Sequence, residues 1–372
     1  MLWLLLACQS SKEIVDTGLE DTGSSVEETD TTEDTVDDVG STCFSNASAE
    51  PYVVYSTPYD DDGNQVNWWH LQQTDGTVLD FEMGRATSGE VHLSSDGSWG
   101  AVAQTDGTIG IFRYIGGTIS VVETGITVDA NGEAVYASEI WLDSDNGEMW
   151  ITDQNWPNNG GGLFRAYLDC DSGAIISAER IFSSKNAYSV RPMGDDWVYL
   201  SREINDEPYQ LSIFDDSGNI LAQGRAFDDD ESIFSALASD GMSILVGDNN
   251  EFSGIPTRIS HVTWDGENLV QTNVFDVEDP MSIVMIDDWA LIASGYGNQL
   301  YQYQISRQSL TPVMGASLPS LVLRRDDDFY AVANTTIHQL SVSNSGFAPE
   351  GEIVSLSGIG GIIGAAGVFG AL

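Results

Sequence analysis

Oxygen-bearing side chains are concentrated in three long loops and one acidic segment of the chain. The loops read STPYDDDGNQVN from Ser56, DQNWPNNGGG from Asp153 and GDNNEFSGIPT from Gly247, and the acidic segment is FDDDESI from Phe227. Calcium is a hard cation that takes about six to eight oxygen ligands, and such loops could supply them. The candidate metal ligands are therefore Asp60, Asp62, Asp229, Asp230 and Asp248.

The loop from Asp153 also contains a tryptophan among amide side chains. An aromatic ring beside amides suits stacking on a sugar or a hot spot for a protein partner. Packing of this ring over a neighbouring part of the protein is the alternative. The candidate ligand-binding residues are Asn155, Trp156, Asn158, Asp248 and Asn249.

No motif in the chain carries recognisable catalytic chemistry. The four histidines, His70, His92, His261 and His338, are far apart in sequence and have no paired spacing. A serine-hydrolase elbow, a phosphate-binding loop and a Cys-His arrangement are all absent from the sequence. We therefore expect no catalytic residues, and enzymatic activity stays uncertain with the balance against it.

The charge of the chain limits its partners. It has 58 Asp and Glu against 13 Lys and Arg, for a formal net charge of -45. Nucleic-acid binding depends on neutralising phosphates with basic side chains, so DNA and RNA are excluded as partners. Cations, neutral glycans and neutral or basic proteins remain, and an acidic surface that serves only solubility is the alternative.

A repeated unit must hold these loops in place. It consists of an apolar strand, an Asp/Asn/Gly turn and a second apolar strand, followed by two strands of alternating pattern. Such a unit is a four-stranded antiparallel sheet, and a spacing of 40 to 50 residues between units is typical of a β-propeller. The residues that begin the second strand in six units are Trp99, Met149, Trp197, Met242, Trp289 and Phe329.

A seventh unit is divided between the ends of the body. Residues 44–85 supply strands two to four, and the C-terminal GIGGIIGAAGVFGAL resembles the start of a repeat, with Gly367 and Phe369 at the places of Gly97 and Trp99. A membrane span is the alternative for this uncharged end, but its glycines make a poor helix. We predict an all-β, seven-bladed β-propeller of four-stranded antiparallel blades over residues 43–372, closed by its N- and C-terminal segments.

This pattern resembles the seven-bladed propellers with YVTN-like or quinoprotein-like repeats. The resemblance implies that the loops between second and third strands line the binding face. It favours a binding or scaffold module for protein or glycan partners. Two alternatives that the resemblance leaves open are a calcium-dependent lactonase-like or sugar-active hydrolase and an accessory lipoprotein of outer-membrane assembly.

The N-terminus is similar to that of bacterial lipoproteins. Leu5, Leu6 and Ala7 directly precede Cys8, as in a lipobox. The resemblance implies that residues 1–7 are the remnant of a signal peptide and that Cys8 carries the lipid that alone contacts the membrane. Gln9 and Ser10, the residues that follow, resemble outer-membrane sorting, so we expect an exported protein on the periplasmic or cell-surface side.

A disordered acidic linker is expected over residues 8–42, together with the lipidated cysteine. Residues 9–42 have 11 carboxylates, one lysine and no aromatic residue, which is too little apolar surface to offset the entropy of ordering. Export would also favour a disulfide between Cys43 and Cys170, and two free buried thiols are the alternative.

Overall fold

The structure is a computed structural model, and every residue it describes lies in the compact unit Ser41–Leu372. The signal-peptide remnant, the acidic linker and all three cysteines lie outside the described residues. The described residues are 49–86, 89–125, 127–129, 131–144, 146–154, 161–169, 173–202, 209–227, 234–249, 257–325, 327–357 and 361–370.

Seven four-stranded antiparallel sheets, or blades, form from the described residues, together with a two-stranded hairpin of β8 (Thr127–Val128) and β9 (Ala134–Val135). The predicted all-β propeller of seven blades is confirmed. The strands of blades one to three, each from innermost to outermost, are β4 His92–Leu93, β5 Trp99–Ala103, β6 Ile109–Ile115 and β7 Thr118–Thr124; β10 Ala137–Asp143, β11 Glu148–Asp153, β12 Gly162–Leu168 and β13 Ile175–Ser183; and β14 Asn186–Met193, β15 Asp196–Arg202, β16 Gln210–Phe214 and β17 Ile220–Arg225.

Blades four to six repeat the same order. Their strands are β18 Phe234–Asp240, β19 Ser243–Asp248, β20 Arg258–Trp264 and β21 Leu269–Asp276; β22 Pro280–Ile286, β23 Trp289–Ser294, β24 Gln299–Gln304 and β25 Ser309–Gly315; and β26 Pro319–Arg325, β27 Asp328–Ala333, β28 Thr336–Ser343 and β29 Gly346–Ser355. Blade seven consists of β30 Ala366–Phe369, β1 Tyr52–Tyr59, β2 Gln65–Gln73 and β3 Val78–Glu82.

Short polar residues close the hairpins locally. In blade one the Asp96 carboxylate accepts hydrogen bonds from the backbone N–H and the hydroxyl of Ser98, at 2.9 and 2.7 Å. Gly97 follows Asp96 with φ 70°, a left-handed conformation that a side chain would strain. These side-chain bonds add to the backbone bonds of the turn, such as that from the Gly97 N–H to the carbonyl of Ser94 at 3.0 Å, which is why the sequence marks the strand ends so clearly.

Blade seven confirms that the two ends of the body close the ring. Strand β30 pairs antiparallel with β1, with Tyr52 opposite Phe369 and Tyr55 opposite Ala366. The predicted equivalence of Phe369 and Trp99 was wrong. Phe369 ends the innermost strand of its blade, whereas Trp99 begins a second strand. Pairing with β1 sets the register of β30, and the Gly-x-aromatic pattern shared with blade one does not.

The hydrophobic core is divided among the junctions between blades. Each of the seven pairs of neighbouring blades contributes to its own cluster of buried side chains. At the junction of blades seven and one, the indole of Trp69 is fully buried and its Nε1 donates to the carbonyl of Gly84 at 3.1 Å. The closing blade is thus packed like the others.

The ring has two faces. The loop face bears the segments from second to third strands and the links between blades, and the turn face bears the other hairpin turns. The innermost strands of neighbouring blades contact one another around the whole ring. Among the described residues, no helix has the length and apolarity needed to cross a membrane.

Candidate binding face and central cavity

Two of the predicted metal ligands lie in the loop of blade seven on the loop face. The Asp60 carboxylate accepts hydrogen bonds from the backbone N–H of Asp62 at 3.0 Å and from that of Asn64 at 2.8 Å. The amide Nδ2 of Asn64 donates to its other oxygen at 2.9 Å, and the bonds from Asn64 lower the pKa of Asp60. Asp60 therefore caps its own turn, and Asp62 beside it is exposed.

Asp248 lies in blade four, three blades from Asp60 along the ring. It ends β19 with a fully buried side chain, and Nε of Arg258 donates to its Oδ2 at 3.1 Å. The Arg258 guanidinium in turn lies 4.7 Å from the centre of the Phe227 ring. This paired carboxylate anchors the start of the third strand, so its position serves the fold of blade four.

Asn249 joins blade four to blade five. Its Nδ2 donates to Oδ1 of Asp279, a buried residue in the link between the two blades. The other oxygen of Asp279 accepts from the backbone N–H of Tyr296 at 2.9 Å, and the backbone N–H of Asp279 donates to Oγ1 of Thr257 at 3.1 Å. These bonds, which we call the Asp279 network, fix the loop that carries Tyr296.

Three exposed apolar side chains surround this network, and we call them the Tyr296 patch: Met281, Tyr296 and Leu318. Gly295, which precedes Tyr296, packs closely against Met281: a Cβ added to this glycine would lie 2.9 Å from Cγ of Met281. Asn298 joins the other two members, because its Nδ2 donates to the carbonyl of Tyr296 at 2.8 Å and its Oδ1 accepts from the backbone of Leu318 at 3.0 Å. The Tyr296 ring is 59% exposed on this fixed frame.

Sequence reasoning missed the Tyr296 patch because its loop is short. The expected binding residues come from long polar loops, whereas Tyr296 belongs to the four-residue segment between β23 and β24. Leu318 has φ 46°, a left-handed conformation that is rare for leucine, directly before Pro319. The sequence signal that could have revealed the patch was the presence of Tyr296 and Leu318 in short links between apolar strands.

Several predicted site residues lie outside the described residues, and their predictions stand untested. Among the residues that the structure describes, no three His, Cys, Asp or Glu side chains form a group that could hold a metal ion. The predicted residues outside the description are Cys8, Cys43, Cys170, Asn155, Trp156, Asn158, Asp229 and Asp230.

A cavity of about 490 Å³ opens among the innermost strands toward the turn face. Its lining includes Glu90 and His92 of blade one and Trp141 of blade two. The rings of His92 and Trp141 lie 4.9 Å apart. In the sequence, His92 is far from the other histidines, although a spacing of two residues, as between Glu90 and His92, is that of side chains on one side of an extended segment.

An ion pair lies behind this cavity. Nη2 of Arg191 donates to Oε1 of Glu139, and the guanidinium lies 5.4 Å from the centre of the Trp141 ring. Burial raises the pKa of Glu90 to about 7, although Arg191 opposes the shift and Glu139 adds to it. Burial, aided by Arg191, lowers the pKa of His92 to about 3.

The sequence matches no family model and no curated protein. Its fold, in contrast, is similar to that of solved propellers. A putative 6-phosphogluconolactonase from Bacteroides fragilis is 10% identical, with TM-score 0.58 over 87% of this chain and 99% of that chain. A puromycin-hydrolysing peptidase of Mycobacterium tuberculosis is 14% identical, with TM-score 0.55 over 80% of this chain and 50% of that chain.

A chain of the mitotic checkpoint complex is also similar. It is 12% identical, with TM-score 0.51 over 73% of this chain and 81% of that chain. Enzymes and a component of a protein complex thus share this architecture at identities that carry no functional likeness. The similarity therefore shows a β-propeller fold, one consistent with a binding or scaffold module.

Proposed function

We propose that the protein is a binding module whose loop face docks a protein partner through the Tyr296 patch. The observation that carries this proposal is an exposed tyrosine on a frame fixed by the Asp279 network. Tyrosine is enriched at interface hot spots because it offers a large amphipathic contact area at low entropic cost. A glycan stacked on the same ring is the alternative ligand.

Charge supports the choice of partner. With a formal net charge of -45, the protein attracts a basic surface and repels an acidic one. The apolar Tyr296 patch thus belongs to an acidic molecule. A partner with an apolar centre and a basic rim fits both properties.

A site-specific cross-link tests this proposal. A photoreactive phenylalanine analogue placed at Tyr296 in the full chain, in cells of its native host, should give one discrete protein adduct. The same analogue at Ile176, 66% exposed on the outer strand of blade two, should not give it. Mass spectrometry identifies the adduct, and the purified partner is then titrated against wild type, Tyr296→Ala and Ile176→Ala.

Loss of binding in Tyr296→Ala alone supports the proposal. Equal binding by Tyr296→Ala and wild type contradicts it, as does an adduct that forms at both positions. A cross-linked glycan without a protein would assign the patch to the alternative ligand and overturn the protein-docking form of the proposal.

The protein is further proposed to be lipid-anchored through Cys8, on the periplasmic or cell-surface side of the outer membrane. The lipobox resemblance supports this location, and the acidic segment would act as the tether between lipid and propeller. Metabolic labelling with an alkyne fatty acid should mark the wild type and leave Cys8→Ser unlabelled and released from membranes. Labelling of both proteins would contradict it.

Calcium is proposed as a ligand of the acidic loops on the loop face. The oxygen-rich segments from Ser56, Phe227 and Gly247 support it. A ligand that binds only the folded state raises the melting temperature, so millimolar calcium should raise it above the value in equimolar magnesium. An equal effect of both ions would assign these carboxylates to general screening.

A further inference from the structure

The central cavity on the turn face differs from the docking surface proposed above. Residues of blades one, two, three, six and seven line it, so it is an open cavity at the turn-face end of the ring. Its volume of about 490 Å³ is within the usual range for small-molecule sites. Apolar wall area comes from Trp141, Trp197, Leu323 and Val368.

Two polar side chains in this cavity have no hydrogen-bond partner among the described residues. His92 is only 6% exposed, lines the cavity and contacts the Trp141 ring. Glu90, two residues before His92, lines the same cavity. Polar side-chain atoms that face a cavity and have no protein partner can bind water, and a ligand can take the place of that water.

The charge of the lining determines the class of ligand. Five carboxylates line the cavity against two guanidinium groups. Both guanidinium groups are already engaged, since Arg324 Nη1 donates to the carbonyl of Met285 at 2.7 Å and Arg325 Nη2 to that of Ser95 at 3.1 Å. The five carboxylates are those of Glu90, Asp143, Asp195, Asp196 and Asp216.

Like charges are crowded on the blade-three side. The pKa of Asp196 is raised by burial, and next by the neighbouring carboxylates of Asp195, Asp215 and Asp216. A bound cation would relieve this repulsion. A metal ion is a poor fit, because no group of three ligating side chains exists among the described residues, whereas an organic cation needs fewer charged contacts and can use the apolar walls.

The geometry points to a binding site for a small protonated alkylamine, with its ammonium group on Glu90 and His92 and its methylene chain along the indole walls. His92 can accept a hydrogen bond because its ring stays neutral at physiological pH, with its pKa lowered to about 3 by burial. Glu90 supplies the charge when it is ionised. Indole faces add cation–π attraction for an ammonium group.

Binding should depend on pH through Glu90. Its carboxyl group interacts with the charges of Arg191 of β14 and Glu139 of β10, His92 lines the same cavity two residues away in sequence, and burial raises the pKa of Glu90 to about 7. The amine binds the ionised form, and the ionised fraction rises about 10-fold between about pH 6 and about pH 8. An alkylamine stays protonated over this range, so affinity should rise by a similar factor.

Calorimetric titration with 1,4-diaminobutane in about 0.15 M salt tests this inference, because salt screens unspecific attraction to the acidic surface. The wild type should bind the diamine and should not bind 1,4-butanediol, which has the same carbon chain without the charges. Glu90→Gln and His92→Leu should each weaken binding at least about 10-fold, the loss of one charge-assisted hydrogen bond. Glu352→Gln, which removes an exposed carboxylate of β29, is the matched control and should bind like the wild type.

Three results would overturn the inference. Equal affinity for the diamine and the diol would exclude a cation site. Equal loss in Glu90→Gln and Glu352→Gln would assign binding to the general surface charge, and displacement of the diamine by equimolar magnesium would assign the cavity to a metal. If a variant fails to fold, the pH dependence of the wild type still decides, since a flat affinity between about pH 6 and about pH 8 contradicts the role of Glu90.

Discussion

The Tyr296 patch and the central cavity differ in how their polar groups are satisfied. On the loop face, Asp279 accepts bonds from Asn249 and from the backbone of Tyr296, and Asn298 joins the loop to Leu318. In the cavity, the side chains of Glu90 and His92 have no hydrogen-bond partner among the described residues. One region presents an apolar surface on a bonded frame, and the other presents polar groups in an enclosed space.

This difference teaches that one ring can carry two kinds of site. Hydrogen bonds hold the frame of the Tyr296 patch in place before a partner binds. Binding then costs less conformational entropy, which suits a large partner. Buried polar groups without partners have shifted pKa values, and such groups are common at sites that bind a small charged ligand. The following predictions test whether the two regions behave independently.

Gly97→Ala should have the largest effect on stability. A Cβ at Gly97 would lie 2.5 Å from the Phe369 ring of the closing strand, and the residue has φ 70°. Strain and overpacking together should cost about 3 to 4 kcal/mol. The matched variant Gly116→Ala, at φ 58° with no atom within 4 Å of the new Cβ, should cost only about 1 kcal/mol.

Urea denaturation measures both glycine variants. The amide of Tyr296 should keep its hydrogen-exchange protection in Gly97→Ala under native conditions, because the change lies on the turn face. Equal destabilisation by the two variants would contradict the packing of Phe369 on Gly97, and loss of protection at Tyr296 would show that the two regions are coupled.

Glu90→Gln should change how stability depends on pH. Because the pKa of Glu90 is raised to about 7 in the folded protein, folding favours its protonated form. Its contribution is fully present below its unfolded pKa of about 4.5 and is lost as the pH rises through about 7. From about pH 4.5 to about pH 8, the variant should therefore gain up to about 3 kcal/mol relative to the wild type.

For His92, stability should depend on pH in the opposite direction. Its lowered pKa means that stability is lost as the pH falls from about 6.5 towards about 3. His92→Leu should therefore gain stability relative to the wild type as the medium becomes more acidic. Urea midpoints of the wild type and of both variants, measured from about pH 3 to about pH 8, provide the test. Parallel curves of midpoint against pH for the three proteins would contradict the burial of these groups.

Asp279→Ala should destabilise the protein by about 2 kcal/mol, because the backbone N–H of Tyr296 and the amide of Asn249 lose their acceptor. The matched variant Asp265→Ala removes an exposed carboxylate that accepts from the backbone of Glu267 and Asn268 in a hairpin turn, and it should cost less than about 1 kcal/mol. Hydrogen exchange at Tyr296 should increase in the first variant alone. Unchanged exchange there would show that the Asp279 network does not hold the loop.

Tyr296→Ala should have the smallest effect on stability, within about 0.5 kcal/mol, because the ring is mostly exposed. Diamine binding in the cavity should be unchanged. The measurement is the urea midpoint together with the calorimetric titration. A loss of stability above about 1 kcal/mol would mean that the ring is part of the core and is a poor anchor for a partner.

The sequence alone predicted much of the fold because a propeller repeats local information. Each hairpin is marked by its own Asp, Asn or Gly, as at Asp96 and Gly97, and the repeated spacing implies the four-stranded blade. The sharing of blade seven between the two ends also followed from counting strands. The register of β30 did not, because Phe369 takes its place from pairing with β1 and from packing on the turn of blade one.

The sites were less predictable because they combine residues from different blades. The sequence pointed to Asp248 and Asn249, and the structure places Asn249 beside the Tyr296 patch as a support. The patch itself depends on short links that look ordinary in sequence. Glu90 and His92 have shifted pKa values chiefly because the closed ring buries them, with Trp141 of blade two against the His92 ring.

By itself, the sequence determined the strands, the turns, the four-stranded repeat and the acidic character of the molecule, since each follows from neighbours along the chain or from composition. Only the tertiary structure decided which side chains meet at the ring axis and which remain exposed on a face. The physical reason is that closing the ring brings together residues up to about 300 positions apart, such as the hydroxyl of Ser56 and the backbone of Ala365, and no local pattern records such contacts.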